Sequence, residues 1–165
     1  MKKLIPIVLC VLLLAGCGAQ PTFETVNDLL PSGTPEPAKE LVVSLPQEAA
    51  TPAMEGENGV CLYECEDYVL TTQVLPGGDL DATLQQLTGF TTGDLAHMKT
   101  KQQGMDRYDC VWTAASETGE QVCRAVVLDD GSYHYAVAVM ADAAVSGDLT
   151  GQWQSVLRSV QVKTD

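Results

Sequence analysis

Val122-Cys123-Arg124-Ala125-Val126-Val127-Leu128-Asp129-Asp130-Gly131-Ser132-Tyr133-His134-Tyr135-Ala136-Val137-Ala138-Val139-Met140 decides how this chain folds. Two runs rich in β-branched and aromatic residues flank Asp129-Asp130-Gly131, and Asp and Gly tolerate the positive φ that hairpin turns require. The runs are therefore expected to pair as antiparallel strands. The second run, Tyr133 to Met140, is apolar at odd and even positions alike. A strand with that pattern is covered on both faces, which predicts a central position in its sheet. Arg124 is a lone cation in the first run; a structural ion pair with an acid on a neighbouring strand is the expected arrangement, and a binding face is the alternative. His134, between two tyrosines, reads as a packed strand histidine.

Upstream of this hairpin, Ser116-Glu117-Thr118-Gly119 turns the chain back onto a strand from Tyr108 to Ala114. A tight turn at Thr118-Gly119 would set Cys110 opposite Val127 and Cys123 opposite Ala114. Before it, a turn at Gly104 and a strand over His97 to Gln102 are expected, in an edge region where His97 lies beside Lys99 and Lys101. Tyr68 to Leu75 reads as another strand, closed by Pro76-Gly77-Gly78. Asp79 then suits a helix N-cap, Leu80, Leu84 and Leu87 fall on one face, and Gly89 suits a left-handed C-terminal position. That predicts a short helix over about residues 79–88. Leu41 to Pro46 and Val60 to Tyr63 read as earlier strands. Asp148 to Arg158 reads as a late helix with Leu149, Trp153, Val156 and Leu157 on one face, and Val160 and Val162 suggest a last strand. The fold class expected from this order is α+β: a single, mainly antiparallel twisted sheet with helices on its faces.

The pattern resembles the PsbP-like α/β/α sandwich, named for extrinsic proteins of photosystem II and found in many bacterial lipoproteins. The features that carry the resemblance are the strand ending in Leu45-Pro46, the central meander, and the closing Trp153, Val156-Leu157-Arg158-Ser159. The chain is also similar to small uncharacterised clostridial-type lipoproteins. Neither resemblance implies an activity, because one fold hosts many functions.

The N-terminus points to a location. Lys2 and Lys3 precede an apolar run from Ile5 to Leu14, and Leu14-Ala15-Gly16-Cys17 closes it. A basic segment, an apolar segment and small residues make a secretory signal, and a transmembrane helix needs about 20 apolar residues. The closing residues resemble the lipobox of bacterial lipoproteins. That resemblance implies a diacylglyceryl group on Cys17, removal of residues 1–16, and a membrane-anchored protein on the extracytoplasmic face. Residues 17–39, punctuated by Pro21, Pro31, Pro35 and Pro37, read as a lipidated N-terminus and semi-extended tether. Residues 40–165 form the expected single domain.

The chain carries 9 Lys+Arg against 22 Asp+Glu, a formal net charge of −13, and losing Lys2 and Lys3 makes the remainder more acidic. Such a body is repelled by nucleic acid and by anionic lipid. With Cys10 in the signal and Cys17 acylated, Cys61, Cys65, Cys110 and Cys123 remain as possible disulfide partners of unknown pairing. On a continuous strand Cys61 and Cys65 would stand about 13 Å apart, beyond the ~4.4–6.8 Å Cα separation of a bridge, unless a turn intervenes. Their spacing is not the C-x-x-C of thiol exchange, and His97 and His134 fit no zinc pattern.

Acid clusters at Glu55/Glu57, Glu64/Glu66/Asp67 and Asp129/Asp130 fit no calcium-loop spacing, and neither a nucleophile elbow nor a phosphate-binding glycine motif occurs. No catalytic residue, metal ligand or cofactor is expected. The function expected is therefore that of a non-enzymatic protein-interaction module with an envelope or secreted partner. The alternative is a small-ligand or metal-ion binding lipoprotein.

Overall fold

The computed structural model describes residues 36–56, 59–117 and 119–163. The signal segment, Cys17 and most of the tether lie outside them. In chain order the strands and helices are β1 (Leu41–Val42), β2 (Met54–Glu55), β3 (Cys61–Glu64), β4 (Val69–Pro76), α1 (Leu80–Thr88), β5 (Ala96–Gln102), β6 (Met105–Ser116), β7 (Gly119–Asp129), β8 (Tyr133–Asp142), α2 (Thr150–Ser159) and β9 (Gln161–Val162). A 3-10 turn spans Gln47–Ala49. The main sheet has seven strands in the order β2-β3-β4-β8-β7-β6-β5, and every pairing is antiparallel. The fold is α+β.

β8 is the middle strand, and its two-residue period explains the two cores. Tyr135, Val137, Val139 and Ala141 point to one face, where Trp153, Val156 and Leu157 of α2 cover them. Ala136 and Ala138 point to the other, in a core with Leu84 of α1 and with Tyr108, Cys110, Trp112 and Cys123. Alternation across a pleated strand forces this division. With alanines in the middle of the second face, Trp112 and Tyr108 from β6 supply the bulk there.

α1 forms where the turn chemistry demands. The Asp79 side chain accepts from the Asp81 N–H at 3.0 Å, and Gly89 at φ 82° accommodates the left-handed stop that an L side chain resists. Asp79→Ala is expected to cost ~0.5–2 kcal/mol, read as a fall in the urea midpoint with the slope unchanged. An unshifted midpoint would show that the cap contributes nothing.

Several expectations are corrected. β1 is only Leu41–Val42, because its one strand partner among the described residues is the two-residue β9; beyond it Ser44 N–H donates to Ser159 Oγ at 2.8 Å. β2 falls within a stretch that reads as loop. The β6–β7 hairpin pairs Ser116 with Gly119. Cys110 therefore faces Ala125, and Cys123 faces Trp112. That is a two-residue shift from the Val127 and Ala114 pairings. Arg124 has no carboxylate within ion-pair distance among the described residues. Its cross-strand neighbours are Val111 and Val139, and its guanidinium lies 5.7 Å from the centre of the Trp153 ring. A flat, weakly hydrated cation takes an aromatic face where no acid is in reach.

The last residues before β1 dock on the central hairpin. Lys39 N–H donates to Tyr135 Oη at 3.0 Å, Lys39 Nζ to Asp130 at 3.1 Å, and Tyr133 Oη to the Glu36 carbonyl at 2.9 Å. Burial works against the charge on Asp130. The Tyr133 and Ser132 amides, Lys39 and Tyr135 together nonetheless hold its carboxyl below the usual range. Asp81 is lowered by Thr92, and Asp106 by Lys101 and Lys99. A carboxylate whose pKa is depressed on folding stabilises the native state above its unfolded value, and that stabilisation is lost as pH falls through the folded one. Stability should therefore decline below about pH 4, and Asp130→Asn should flatten that decline. A profile equally steep in the variant would exclude Asp130 as a contributor.

Candidate interaction surface

α2 and the β1–β9 pair cover one face of the sheet over β4, β8 and β7. At the β5 end that cover stops. Alternation places Ala96, Met98 and Thr100 of β5 on this face, level with Val111 and Asp109 of β6. Met98 is 59% exposed and Val111 47%. Two large apolar side chains thus stand diagonally adjacent and open to solvent beside Arg124.

The opposite face of β5 carries His97, Lys99 and Lys101. Lys99 and Lys101 both reach Asp106 across the strand pair, at 3.0 and 2.6 Å, and the Lys99 ammonium lies 5.2 Å from the Tyr108 ring centre. Hydrogen bonds to Tyr108 and then Asp106 push the Lys99 ammonium well above its usual pKa. His97 Nδ1 lies 3.0 Å from the Leu95 carbonyl oxygen. β5 is the outer strand, so its far backbone edge pairs with no strand among the described residues.

This end of the sheet is held in place. Arg107 makes a bidentate pair with Asp109 at 2.8 and 2.7 Å, and donates to Gln102 Oε1 at 2.6 Å and to the Leu157 carbonyl at 3.2 Å. Gln102 Nε2 donates to the Val160 carbonyl at 2.7 Å. Gln103 and Gly104, at φ 52° and 83°, form a two-residue turn of the kind that matches strand twist. The β5–β6 hairpin is thereby fastened to the end of α2.

The remaining sequence candidates are scattered. Cys61 and Cys65 sit at and just beyond the ends of β3, partly exposed, while Cys110 and Cys123 are buried diagonal neighbours beneath α1. All four are thiols. Burial raises Cys110 to about 11 and also raises Cys123 and Cys65, so none of these three is a thiolate at neutral pH. A maleimide should label Cys61 and Cys65 in the native protein, and Cys110 and Cys123 only after unfolding. Rapid native labelling of the buried pair would contradict this packing.

His134 is fully buried. Its Nδ1 lies 2.7 Å from Thr83 Oγ1, while its Nε2 stands 3.7 Å from Asp129 and has no hydrogen bond among the described residues. The contact docks α1 on β8. A cleft of about 490 Å³ at the β3–β4 turn is lined by Cys65, Glu66, Asp67, Tyr68 and Asp142 among others. Among the described residues no group of three or more His, Cys, Asp or Glu is placed to hold a metal ion. Nor is any helix there long and apolar enough to cross a membrane.

The described residues form a seven-stranded antiparallel α+β domain with one helix on each face, and β5 is its longer outer strand. No protein-family model matches the sequence, and no curated protein matches it. Among solved structures, one from Bacteroides thetaiotaomicron VPI-5482 is similar with a TM-score of 0.52 at 10% identity, over 76% of this chain and 46% of that one. A Pseudomonas aeruginosa protein of unknown function is similar with a TM-score of 0.52 at 10% identity, over 76% of this chain and 99% of that one. The chain thus spans less than half the length of the first. At this identity the likeness speaks to the fold alone.

Proposed function

We propose that the chain is a lipid-anchored, extracytoplasmic protein of the cell envelope whose α+β domain is a non-enzymatic protein-interaction module. The observation that carries this reading is the open sheet end, where a seven-residue edge strand adjoins exposed Met98 and Val111. Natural sheets seldom leave a long edge bare, and exposed apolar side chains beside it favour a partner. The Leu14-Ala15-Gly16-Cys17 segment and the prolines after it supply the anchor and tether of the proposal. Affinity capture from native membranes with the acylated protein should recover one reproducible envelope or secreted protein. Repeated recovery of background alone would refute the module.

The finer kinship proposed is with the PsbP-like sandwich. Helices on opposite faces of a central antiparallel meander support it, as does a closing helix that buries Trp153, Val156 and Leu157. A different strand order in a photosystem II extrinsic protein of that class would count against it.

The cleft beside Tyr68 favours a second reading, small-ligand or cation binding. Thermal melts across calcium, zinc and small solutes decide it, because a ligand that binds only the folded state must raise Tm. A flat Tm at saturating ligand removes this reading.

A further inference from the structure

We propose that β5 is a pairing edge for an extended segment of a partner protein, and that this segment alternates acidic with apolar residues. The proposal rests on the interaction-module reading and names the chemistry of its partner.

The strand is built for one kind of neighbour. Every residue from Ala96 to Lys101 is exposed, and among the described residues β5 pairs only with β6. An added strand would continue both faces of the sheet. On one face its side chains would stand beside His97, Lys99 and Lys101. On the other they would stand beside Ala96, Met98 and Thr100, with exposed Val111 one strand further in. Cross-strand pairing favours opposite charges on the first face and apolar groups on the second. Because successive side chains point to opposite faces, those demands fall on alternate residues of the partner.

Charge selects between occupants. One Asp106 carboxylate serves both Lys99 and Lys101, so the trio keeps a net positive charge in a chain whose formal charge is −13. A second copy of β5 is a poor occupant. Antiparallel pairing centred on Lys99 would set Lys99 directly against Lys99, and like charges directly opposite are destabilising. Lysines on an edge block self-association for the same reason. An acidic strand meets attraction at this edge and repulsion from most of the remaining surface, so its binding is confined here. The clamp formed by Arg107, Gln102 and Gln103 holds the edge in place before a partner arrives, which lowers the ordering cost of pairing.

The test uses the full chain in detergent and two capped nine-residue peptides, one alternating glutamate with valine and one alternating lysine with valine. Hydrogen exchange of the β5 amides is followed by NMR. The glutamate peptide is expected to slow exchange in β5, to bind more weakly as salt rises, and to lose about tenfold in affinity in Lys99→Glu/Lys101→Glu. That variant should in turn favour the lysine peptide. If charge reversal beside Asp106 unfolds the protein, Lys99→Gln/Lys101→Gln supplies the same reading as a smaller loss.

No binding at millimolar peptide, equal binding of both peptides, or protection elsewhere than β5 would each overturn the proposal and leave the lysines a purely protective role. A partner captured from membranes and retained by the Lys99→Glu/Lys101→Glu variant would keep the module reading while rejecting strand pairing.

Discussion

Trp153→Ala is expected to lower the unfolding free energy by ~3–5 kcal/mol and Tm by roughly 10–20 °C. Trp153 is fully buried at the centre of the α2 core. Its ring meets Tyr68 edge-on at 6.1 Å and 68°, and Arg124 lies over it at 5.7 Å. Truncation leaves a cavity between α2 and β8, removes an aromatic pair worth ~0.5–1.5 kcal/mol beyond its area, and strips Arg124 of its ring. Domains of this size are stable by only ~5–15 kcal/mol, so one substitution would consume a large share. Trp153→Phe, which keeps an aromatic ring at the site, should lose much less. Thermal melts followed by circular dichroism decide it. A shift of less than about 3 °C in Trp153→Ala would mean that α2 is not held through this residue.

Cys17→Ala is expected to abolish acylation and with it the mature, membrane-anchored form. The physical reason is additive burial. Each methylene contributes ~0.8 kcal/mol, one chain binds only marginally, and two chains hold stably. A diacylglyceryl group puts both on one residue. Mass spectrometry and membrane fractionation of wild type and variant provide the measurement. Signal cleavage and membrane retention unchanged in the variant would refute the anchor. Cys17 lies outside the described residues, so this proposal stands on the sequence segment itself.

Which parts of the fold were legible follows from the range of the forces involved. Asp79 and Gly89 act within a few residues, and α1 begins and ends where they dictate. The two-sided apolar pattern of Tyr133 to Met140 has one physical solution, a covered central strand, and β8 is that strand. His97, Lys99 and Lys101 marked an edge for the same reason. The β6–β7 register was less secure. Pairing Ser116 with Gly119 shifts every pair by two from the register of a Thr118-Gly119 turn, and turn composition alone does not separate the two choices. The ion pair expected for Arg124 fails because its partner, the Trp153 ring, comes from α2, far along the chain.

The candidate surface was legible only by halves. Its charged face is visible in Lys99 and Lys101. Its apolar face is not, because Met98 and Val111 read like core residues of a sheet. They are exposed since α2 packs over β8 and β7 and stops short of β5. Helix placement is a tertiary outcome that no local pattern specifies. Docking of Lys39 on Tyr135 and Asp130 is similarly non-local.

Site-specific cross-linking tests the interaction module most directly. A photo-reactive residue placed at Met98, with a second placed at Lys163 as a control, is activated in intact cells expressing the full chain. The module predicts one discrete adduct from position 98, to an envelope or secreted protein, that weakens in Cys17→Ala cells and is missing from position 163. No adduct at position 98 above the control, with the protein folded and in the membrane fraction, would contradict it.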